Sequence, residues 1–319
     1  MTGPQRLMTV TRVSSEAEGI LSLELRNSDG TEVLPWDPGS HIDLWLPSGL
    51  IRQYSLCSDP KDLTHYRISV LRVADGRGGS VEIHDGDLLG RELSVQGPRN
   101  HFPLIEAKSY LLIAGGIGVT PLLAMARELD RRGQDWSMIY GGRSRGSMAY
   151  LDELSACEGD VEIVPQDERG IPDLARAIGD CPAGTAVYCC GPEPMLVAVQ
   201  DKCAELLSPD SLHLEHFSAD PAALSALDQV NAAFEVEMAS TGEVLEIPPD
   251  RSILDVVLER LPGTPFSCKE GYCGTCETAV FEGTPDHRDT VLTPEERTGN
   301  ETIMICVSRA ESTRLRLDL

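Results

Sequence analysis

Short runs of alternating apolar and polar residues, separated by turn residues, fill the chain from Arg6 to about Phe102. Examples are HIDLWLPSG, IRQYSLCS and HYRISVLRV. Alternation with a period of two is typical of strands that bury one face. Regular short strands of this kind indicate a small antiparallel barrel, so we expect a β-barrel domain over residues 1–103.

The pattern changes at Ser109 to strands that alternate with helices. Apolar runs such as YLLIAG and WSMIYGG are followed by stretches such as TPLLAMARELDRRG, which have helical spacing. This order is typical of a parallel sheet with helices on both faces. We therefore predict an α/β domain over residues 104–218. The run 109–126 nears the length of a membrane span, but its three glycines and one proline favour a strand, a turn and a helix.

A polar, alanine-rich stretch at 219–231 shows neither strand alternation nor an apolar helix face, and we predict a linker there. The last segment, 232–319, carries two alternating strands (FEVEMAS and EVLEIPP), a helical run (SILDVVLERL) and a closing MICVSRA. A chain of 319 residues exceeds one typical core. Three domains are therefore expected.

Four cysteines in the last segment have the spacing C-x4-C-x2-C-x29-C: Cys268, Cys273, Cys276 and Cys306. This is the plant-type 2Fe-2S spacing, in which a tight loop presents three thiolates and a distant strand supplies the fourth. Ferric iron and sulfide need soft anionic ligands, and the loop glycines let backbone amides turn toward the sulfurs. Structural zinc is the alternative, but zinc usually takes two paired motifs and only one C-x2-C exists here. We predict a 2Fe-2S cluster and hence electron transfer.

Charge and cysteine usage limit the possible partners and location. The chain has 27 basic and 51 acidic residues, a net charge of −24, which argues against nucleic acid and anionic membranes as partners. The N-terminal MTGPQRLMTV lacks the apolar core of a signal peptide. We therefore expect a cytoplasmic protein whose six other cysteines are mostly small buried side chains.

A glycine-rich loop, AGGIGVTP, follows an apolar strand and opens a helix. Gly115, Gly116 and Gly118 would let the backbone approach a pyrophosphate, and Thr120 could cap the helix. Such a turn also serves packing alone. A second strand-to-helix loop in the same sheet, CGPEPML at 190–196, favours nucleotide binding because both loops open at the carboxyl edge.

Two further motifs lie in the barrel segment. Arg52 and Tyr54 belong to the strand RQYS, and RGGS at 77–80 begins a short helical run. An arginine with amides at a helix start can hold a terminal phosphate, and a tyrosine offers a flat face to an aromatic ring. Each motif alone is also compatible with an ordinary strand or turn.

A basic loop, GGRSRG, follows the strand Trp136–Tyr140. Arg143 and Ser144 suit a nucleotide ribose or phosphate. The loop lacks the acidic residue that normally binds a ribose 2′-hydroxyl, so its arginines could accept a 2′-phosphate.

The order of these motifs is more specific than any one of them. R-x-Y-S, GRGGS, GGIGVTP, CGPEPM, E-x-F at Glu215–Phe217 and CxxxxCxxC together resemble the phthalate dioxygenase reductase family, including the reductases of aromatic demethylases. The resemblance covers nearly the whole chain. It implies a flavin barrel of the ferredoxin reductase type, an α/β nicotinamide domain and a C-terminal plant-type ferredoxin domain of β-grasp fold.

The resemblance also implies roles for individual residues. On the flavin side, Arg52 and the amides of Gly78, Gly79 and Ser80 would bind the phosphate, Tyr54 would stack on the ring, Ser55 would bond near its reactive nitrogen, and Val70, Leu71 and Arg72 would line its edge. On the nucleotide side, the Gly115–Gly118 loop and Thr120 would meet the coenzyme and Cys190 would lie near the nicotinamide. Phe217 would cover the flavin, unless it is a core aromatic.

The implied activity is a conversion of two-electron to one-electron transfer. NADH gives up a hydride and a 2Fe-2S cluster accepts one electron, so a flavin must stand between them. The family's domain order favours FMN over FAD, and relatives with an Arg-Ser pair favour NADH over NADPH. The acceptor would be a Rieske-type terminal oxygenase that docks on the ferredoxin domain of a monomer.

A haem monooxygenase or a soluble ferredoxin is the alternative acceptor. For the function of the protein as a whole, the alternative to an enzyme is a redox sensor that only binds nucleotide. The acids Glu270, Glu277, Asp286 and Asp289 are expected near the cluster surface, where they would attract a basic partner.

Overall fold

The computed structural model describes residues 5–217 and 231–319, and the chain divides into two compact units, 1–215 and 216–319. The first unit contains both an antiparallel and a parallel sheet, and the second contains the cysteine loop. Nearly all of the expected linker, 219–231, lies outside the described residues. The boundaries drawn from the sequence stay predictions.

Six antiparallel strands form the first sheet, in the order β4-β3-β6-β1-β2-β5. An isolated bridge between Leu56 and Ile68 joins its two edges, so the sheet closes on itself. Its interior holds fully buried side chains such as Leu23, Ile42 and Leu44. The predicted barrel is therefore confirmed. The strands are β1 (Arg6–Ala17), β2 (Ile20–Asn27), β3 (Ser40–Trp45), β4 (Ile51–Ser55), β5 (Tyr66–Leu71) and β6 (Glu92–Asn100).

A short helix, α1 (Gly79–Asp85), lies between β5 and β6 and begins where the sequence predicted it. Gly78 precedes it with a φ of 81°, a left-handed conformation that favours glycine. This turn directs the start of α1 toward β4.

The second sheet is parallel, with the order β11-β10-β7-β8-β9. Every residue of β7 and β10 is buried, as expected for central strands covered by helices on both faces. The predicted α/β fold is confirmed. Its strands are β7 (Ser109–Gly115), β8 (Trp136–Gly142), β9 (Asp160–Pro165), β10 (Thr185–Cys190) and β11 (Leu212–Glu215), and its helices are α2 (Val119–Arg131), α3 (Leu151–Ser155), α4 (Gln166–Arg169), α5 (Leu174–Gly179) and α6 (Glu193–Leu206).

The barrel and the parallel sheet are joined within the first unit by half-buried polar contacts. Arg67 on β5 makes a bidentate ion pair with Glu153 on α3, both contacts 2.9 Å long. Arg127 on α2 donates to the carbonyl of Cys57 at 2.8 Å and also pairs with Glu153. Bidentate arginine contacts fix orientation as well as distance. They set the position of β4 relative to the parallel sheet.

The second unit is a mixed sheet with the order β13-β12-β18-β14-β16. Its first strand, β12, pairs antiparallel with β13 and parallel with the last strand, β18. A hairpin, a helix and a parallel return strand define the β-grasp arrangement, which confirms the prediction. The elements are β12 (Phe234–Met238), β13 (Val244–Ile247), α7 (Ile253–Val257), β14 (Glu277–Glu282), β15 (Pro285–Asp286), α8 (Pro294–Gly299), β16 (Thr302–Met304), β17 (Arg309–Ala310) and β18 (Arg314–Leu317).

Among the described residues, no helix has the length and apolar character needed to cross a bilayer. The run 109–126, which nears that length in sequence, forms β7, a 3-10 helix at Gly116–Gly118 and the start of α2.

Candidate redox sites

The four cysteines come together in the second unit. The thiol of Cys268 hydrogen-bonds with the thiols of Cys273 and Cys306, and Cys306 also bonds with Cys276. None is in a disulfide, and none is more than 7% exposed. Three lie in the loop before β14 and the fourth follows β16. Buried thiols gathered in this way are the donor set that a 2Fe-2S cluster requires.

The loop backbone wraps around these sulfurs. Gly271 and Gly274 have φ angles of 75° and 71°, which confirms that the loop needs glycine there. The amide of Glu270 donates to Cys268 Sγ at 3.3 Å, and the amide of Cys268 donates to Cys273 Sγ at 3.5 Å. Such N–H···S contacts are the surroundings that tune an iron-sulfur site. The residues present therefore fit the cluster.

One of the four acids expected at the cluster surface is not there. Asp289 is 3% exposed and accepts hydrogen bonds from the amides of Val291 and Leu292, at 3.0 and 2.8 Å. It stabilises the loop that packs on Gly271, so its assignment to a docking face was wrong. Glu277, by contrast, is exposed.

In the barrel, Arg52 lies against the start of α1. A Cβ placed on Gly79 would be 2.6 Å from Arg52 Nε, so any other residue there would force the Arg52 side chain to move. Arg52 donates to the carbonyl oxygens of Arg77 at 2.6 Å and Ile51 at 2.8 Å. Within the described ranges it forms no ion pair with a carboxylate. A fixed, uncompensated guanidinium beside Gly78 and Gly79 fits a phosphate.

The other residues predicted to contact the flavin lie near Arg52 and the start of α1. Tyr54 shares a face of β4 with Arg52, because side chains alternate along a strand. Ser80 is bound to the adjacent loop, its hydroxyl accepting from the amide of Val73 at 3.0 Å. Val70 and Leu71 end β5, and Arg72 pairs with Asp85 at 3.0 Å. These positions suit the predicted roles but do not test them.

The two strand-to-helix loops of the parallel sheet pack directly on each other. A Cβ on Gly118 would lie 2.1 Å from the carbonyl oxygen of Cys190, and one on Gly115 would lie 2.5 Å from Pro192 Cδ. These two glycines are therefore required by contact between the loops. Gly116, with a φ of 54° and no atom within 4 Å of its Cβ position, borders open space and is the one left to face a ligand.

Thr120 does not cap α2 as the sequence suggested. Gly118 precedes the helix, and Thr120 is its second residue, only 2% exposed, with its hydroxyl donating to the carbonyl of Ile117 at 3.0 Å. The hydroxyl satisfies the preceding 3-10 turn instead.

The end of β4 meets the carboxyl edge of the parallel sheet at three residues. Ser55 Oγ donates to Glu215 Oε2 at 3.5 Å, and Glu215 is directly paired with Cys190 in the register of β11 and β10. Burial raises the pKa of Glu215 to about 8, which the Ser55 hydrogen bond partly opposes. Burial, and then the Glu215 charge, raises the pKa of the Cys190 thiol well above its usual value. At neutral pH all three groups are therefore uncharged.

The sequence places Glu215 in the E-x-F motif but does not indicate a role for it. Its environment depends on Ser55, which is 160 residues away in sequence, so no local pattern indicated that it would lose water. Phe217, two residues further on, is 37% exposed, so the core-aromatic alternative does not apply. Its predicted flavin contact stays a prediction.

The basic loop after β8 has acidic neighbours that the sequence did not reveal. The amide of Asp167 donates to the carbonyl of Arg143 at 3.2 Å, and Arg145 pairs with Glu168 at 3.5 Å. Both acids follow β9, the strand beside β8. Arg143 is exposed, and the Ser144 hydroxyl bonds with Ser147 at 3.3 Å. Two acids that follow β9 therefore lie beside the basic loop that follows β8.

Comparison with known sequences agrees with this geometry. Residues 236–311, which include all four cysteines, match the family described as a 2Fe-2S iron-sulfur cluster binding domain. Residues 102–212 match the N-terminal domain of dimethylamine monooxygenase subunit DmmA-like proteins. The first match removes structural zinc as an alternative.

Relatives cover the whole chain. A vanillate O-demethylase oxidoreductase of Pseudomonas sp. (strain HR199 / DSM 7063) is 41% identical over 95% of this chain and 96% of its own. The solved structure of phthalate dioxygenase reductase, described as modular for electron transfer from pyridine nucleotides to [2Fe-2S], is 36% identical, with a TM-score of 0.72 over 99% of this chain and 98% of its own. An intact type IV self-sufficient cytochrome P450 monooxygenase is 40% identical, with a TM-score of 0.89 over 99% of this chain, which spans 41% of that longer one.

Fold and sites together define an oxidoreductase with a flavin- and NAD-binding reductase fold joined to a 2Fe-2S ferredoxin domain. This excludes a non-enzymatic sensor. The chain belongs to the phthalate dioxygenase reductase family.

Proposed function

We propose that the protein takes hydride from NADH and delivers single electrons, by way of FMN and a 2Fe-2S cluster, to the oxygenase component of a multicomponent system. We propose further that it works as a cytoplasmic monomer. The observation that carries the proposal is the meeting of Ser55, Cys190 and Glu215 where the barrel contacts the parallel sheet, in a chain that also gathers four thiols.

When bound, a flavin accepts electrons in pairs and gives them up singly. In the proposed site Arg52 binds the flavin phosphate, Tyr54 packs against the ring, and the Ser55 hydroxyl lies near the ring edge. The thiol of Cys190 is small and uncharged, and Glu215 is protonated at neutral pH. A neutral site that is partly shielded from solvent favours hydride transfer over side reactions with solvent.

FMN is proposed over FAD because the family's domain order favours it and because Arg52 is positioned beside the start of α1 to bind one terminal phosphate. Arg52 is held by the carbonyls of Ile51 and Arg77, and the loop after β5 closes on itself through the Val73–Ser80 hydrogen bond. A guanidinium fixed in this way can make paired hydrogen bonds to a terminal phosphate.

Chromatography of the flavin released on denaturation tests this proposal. FMN is expected, and FAD would overturn it. A Gly79→Ala variant should lose flavin about tenfold more readily, because its Cβ displaces Arg52, whereas Gly179→Ala, a helical glycine with no close neighbour, should retain it.

NADH is proposed over NADPH because two acids that follow β9 lie beside the basic loop. Glu168 offsets Arg145, and Asp167 lies beside Arg143. An acidic residue at this edge of a dinucleotide fold binds ribose hydroxyls and repels a 2′-phosphate.

A Rieske-type oxygenase is the proposed acceptor, in line with the resemblance and with relatives named as oxidoreductases of a demethylase and a dioxygenase. A haem monooxygenase is the second candidate, because this whole chain resembles part of a self-sufficient cytochrome P450. In stopped-flow mixing, NADH-reduced protein should bleach a purified Rieske oxygenase much faster than it forms the ferrous–CO band of a separate soluble P450. The reverse order would favour the second candidate.

A further inference from the structure

A cavity of about 460 Å³ opens on the second unit beside one of the four cysteines. Its walls are the loop Arg260–Pro265, the segment Cys276–Thr278 and the pair Asp318–Leu319. No role was assigned to these walls by the motifs of the sequence, apart from Cys276 as a cluster ligand and Glu277 as a surface acid.

The cavity is held in place by the sheet. Cys276 directly precedes β14, and Asp318 directly follows β18, with the Asp318 amide donating to the carbonyl of Ala279 at 3.0 Å. The same residue that supplies a thiol to the cluster site therefore also forms part of a surface recess. Electron transfer slows steeply with distance, so a partner seated in this recess would be close to the electron source.

The recess has apolar walls and an acidic rim. Leu261, Pro262 and Pro265 contribute the apolar surface. Glu277 and Asp318 are exposed, and neither makes an ion pair within the described ranges. The cation at the rim, Arg260, is offset by Glu243, whose carboxylate is 3.1 Å from its Nε.

The charge around the recess matches that of the unit as a whole. Residues 232–319 include 17 acidic and 8 basic residues, a net charge of −9. Complementary charge accelerates encounter, while a small apolar anchor gives register to a transient complex.

We propose that this recess is the exit site for electrons, and that its occupant is a basic electron-acceptor protein. The acceptor inserts an apolar side chain between the 260–265 loop and Cys276, and its lysines or arginines face Glu277 and Asp318. This proposal rests on the proposed function, because it assumes an external protein acceptor.

The transfer at this site is electron movement alone. Each docking event moves one electron to a ferric ion of the acceptor, which becomes ferrous, and no bond or proton changes in the recess. One NADH supplies two electrons and releases NAD⁺ and one H⁺, so two acceptor molecules are served for each hydride.

Cytochrome c, a basic haem protein, serves as the probe. Carbodiimide links carboxylates to lysines only in contact, so cross-linking at low salt followed by peptide mass spectrometry reports docking without reference to turnover. Cross-links from Glu277 and Asp318 are expected. Cross-links confined to other carboxylates of the unit would overturn the proposal.

Charge reversal gives the second measurement, with each rate divided by the NADH–ferricyanide rate of the same preparation. The double change Glu277→Lys with Asp318→Lys should lower the second-order rate constant for cytochrome c on the order of tenfold at low salt. Glu311→Lys is the matched control, because this exposed acid lies at the opposite end of β18 and should change the rate less than twofold.

A third variant blocks the recess without changing charge. Gly263 lines it and has no atom within 4 Å of its Cβ position, so Gly263→Trp adds bulk at the wall of the recess. It should slow cytochrome c reduction about fivefold at every salt concentration. Equal rates for wild type, Gly263→Trp and the double variant would refute the exit site, whereas absence of NADH–ferricyanide activity in the wild type would instead refute the proposed function.

Discussion

Ser55 Oγ lies 3.5 Å from Glu215 Oε2, and this contact joins the last residue of the barrel strand β4 to the last residue of the parallel strand β11. It places a carboxyl group under the barrel, beside the buried Cys190 thiol. Because burial raises the pKa of Glu215 to about 8, the group is neutral where most carboxyls are charged.

Glu215→Gln should make stability less dependent on pH. The pKa of Glu215 is about 8 in the folded protein, against 4.5 when unperturbed, so the unfolded state releases its proton first. The native state therefore loses stability as pH rises from about 4.5 to about 8, and the loss is complete above that range. Between pH 6 and pH 9, the free energy of unfolding should fall by about 2 kcal/mol less in the variant than in the wild type. Thermal unfolding at each pH measures this difference.

The control for this measurement is Glu92→Gln, which changes an exposed acid on β6. Its pH dependence should match that of the wild type. If Glu215→Gln also follows the wild-type curve, the carboxyl is charged at neutral pH and the buried neutral site is refuted.

Serine at position 268, 273, 276 or 306 should remove the iron-sulfur absorbance and most of the bound iron. Each thiol is buried and hydrogen-bonded to another of the four, and a serine hydroxyl is a poor ligand for iron. NADH–ferricyanide activity should persist, since Arg52, Ser55 and Cys190 of the proposed flavin and nucleotide sites are in the first unit. Cys181→Ser, at a half-buried cysteine outside the set, is the control and should keep full iron content. A normal cluster spectrum in any one of the four variants would exclude that residue as a ligand.

Gly118→Ala should destabilise the first unit by about 1–3 kcal/mol and slow flavin reduction by NADH. Its added Cβ would meet the backbone carbonyl of Cys190 at 2.1 Å, so β7 and β10 could not keep their present loops. Gly179→Ala, whose nearest neighbour is 3.9 Å away, should unfold like the wild type. Calorimetry measures the first effect and stopped-flow absorbance the second. Unchanged values for Gly118→Ala would show that the two loops do not need this close approach.

Asp167→Asn combined with Glu168→Gln should raise the ratio of NADPH to NADH catalytic efficiency about tenfold. Removing both acids leaves Arg145 without its ion-pair partner Glu168 and lowers the negative charge beside Arg143. Binding of a 2′-phosphate should then strengthen, and the ribose hydroxyls should lose an acceptor. Asp160→Asn, at the opposite end of β9, is the control and should leave the ratio unchanged. A wild-type preference for NADPH would show that the arginines decide coenzyme choice and that the proposed role of the acids is wrong.

Much of the architecture was predictable because it depends on short-range patterns. Alternation predicted the barrel strands, helical spacing after apolar runs predicted the parallel sheet, and cysteine spacing predicted the four gathered thiols. The motif order led to the family. Helix α1 begins at Gly79, within the predicted RGGS run.

The sequence by itself determined which elements form and which chemistry the chain carries, because strand period, turn glycines and thiol spacing act over a few residues. Tertiary structure alone decided which polar groups lose water and which loops touch. In the folded chain Asp289 is buried, and Gly115 and Gly118 are needed for close packing between two loops. Acids that follow β9 lie beside the arginines that follow β8. Tertiary structure also raised the pKa of Glu215, since desolvation depends on atoms that lie far away along the chain.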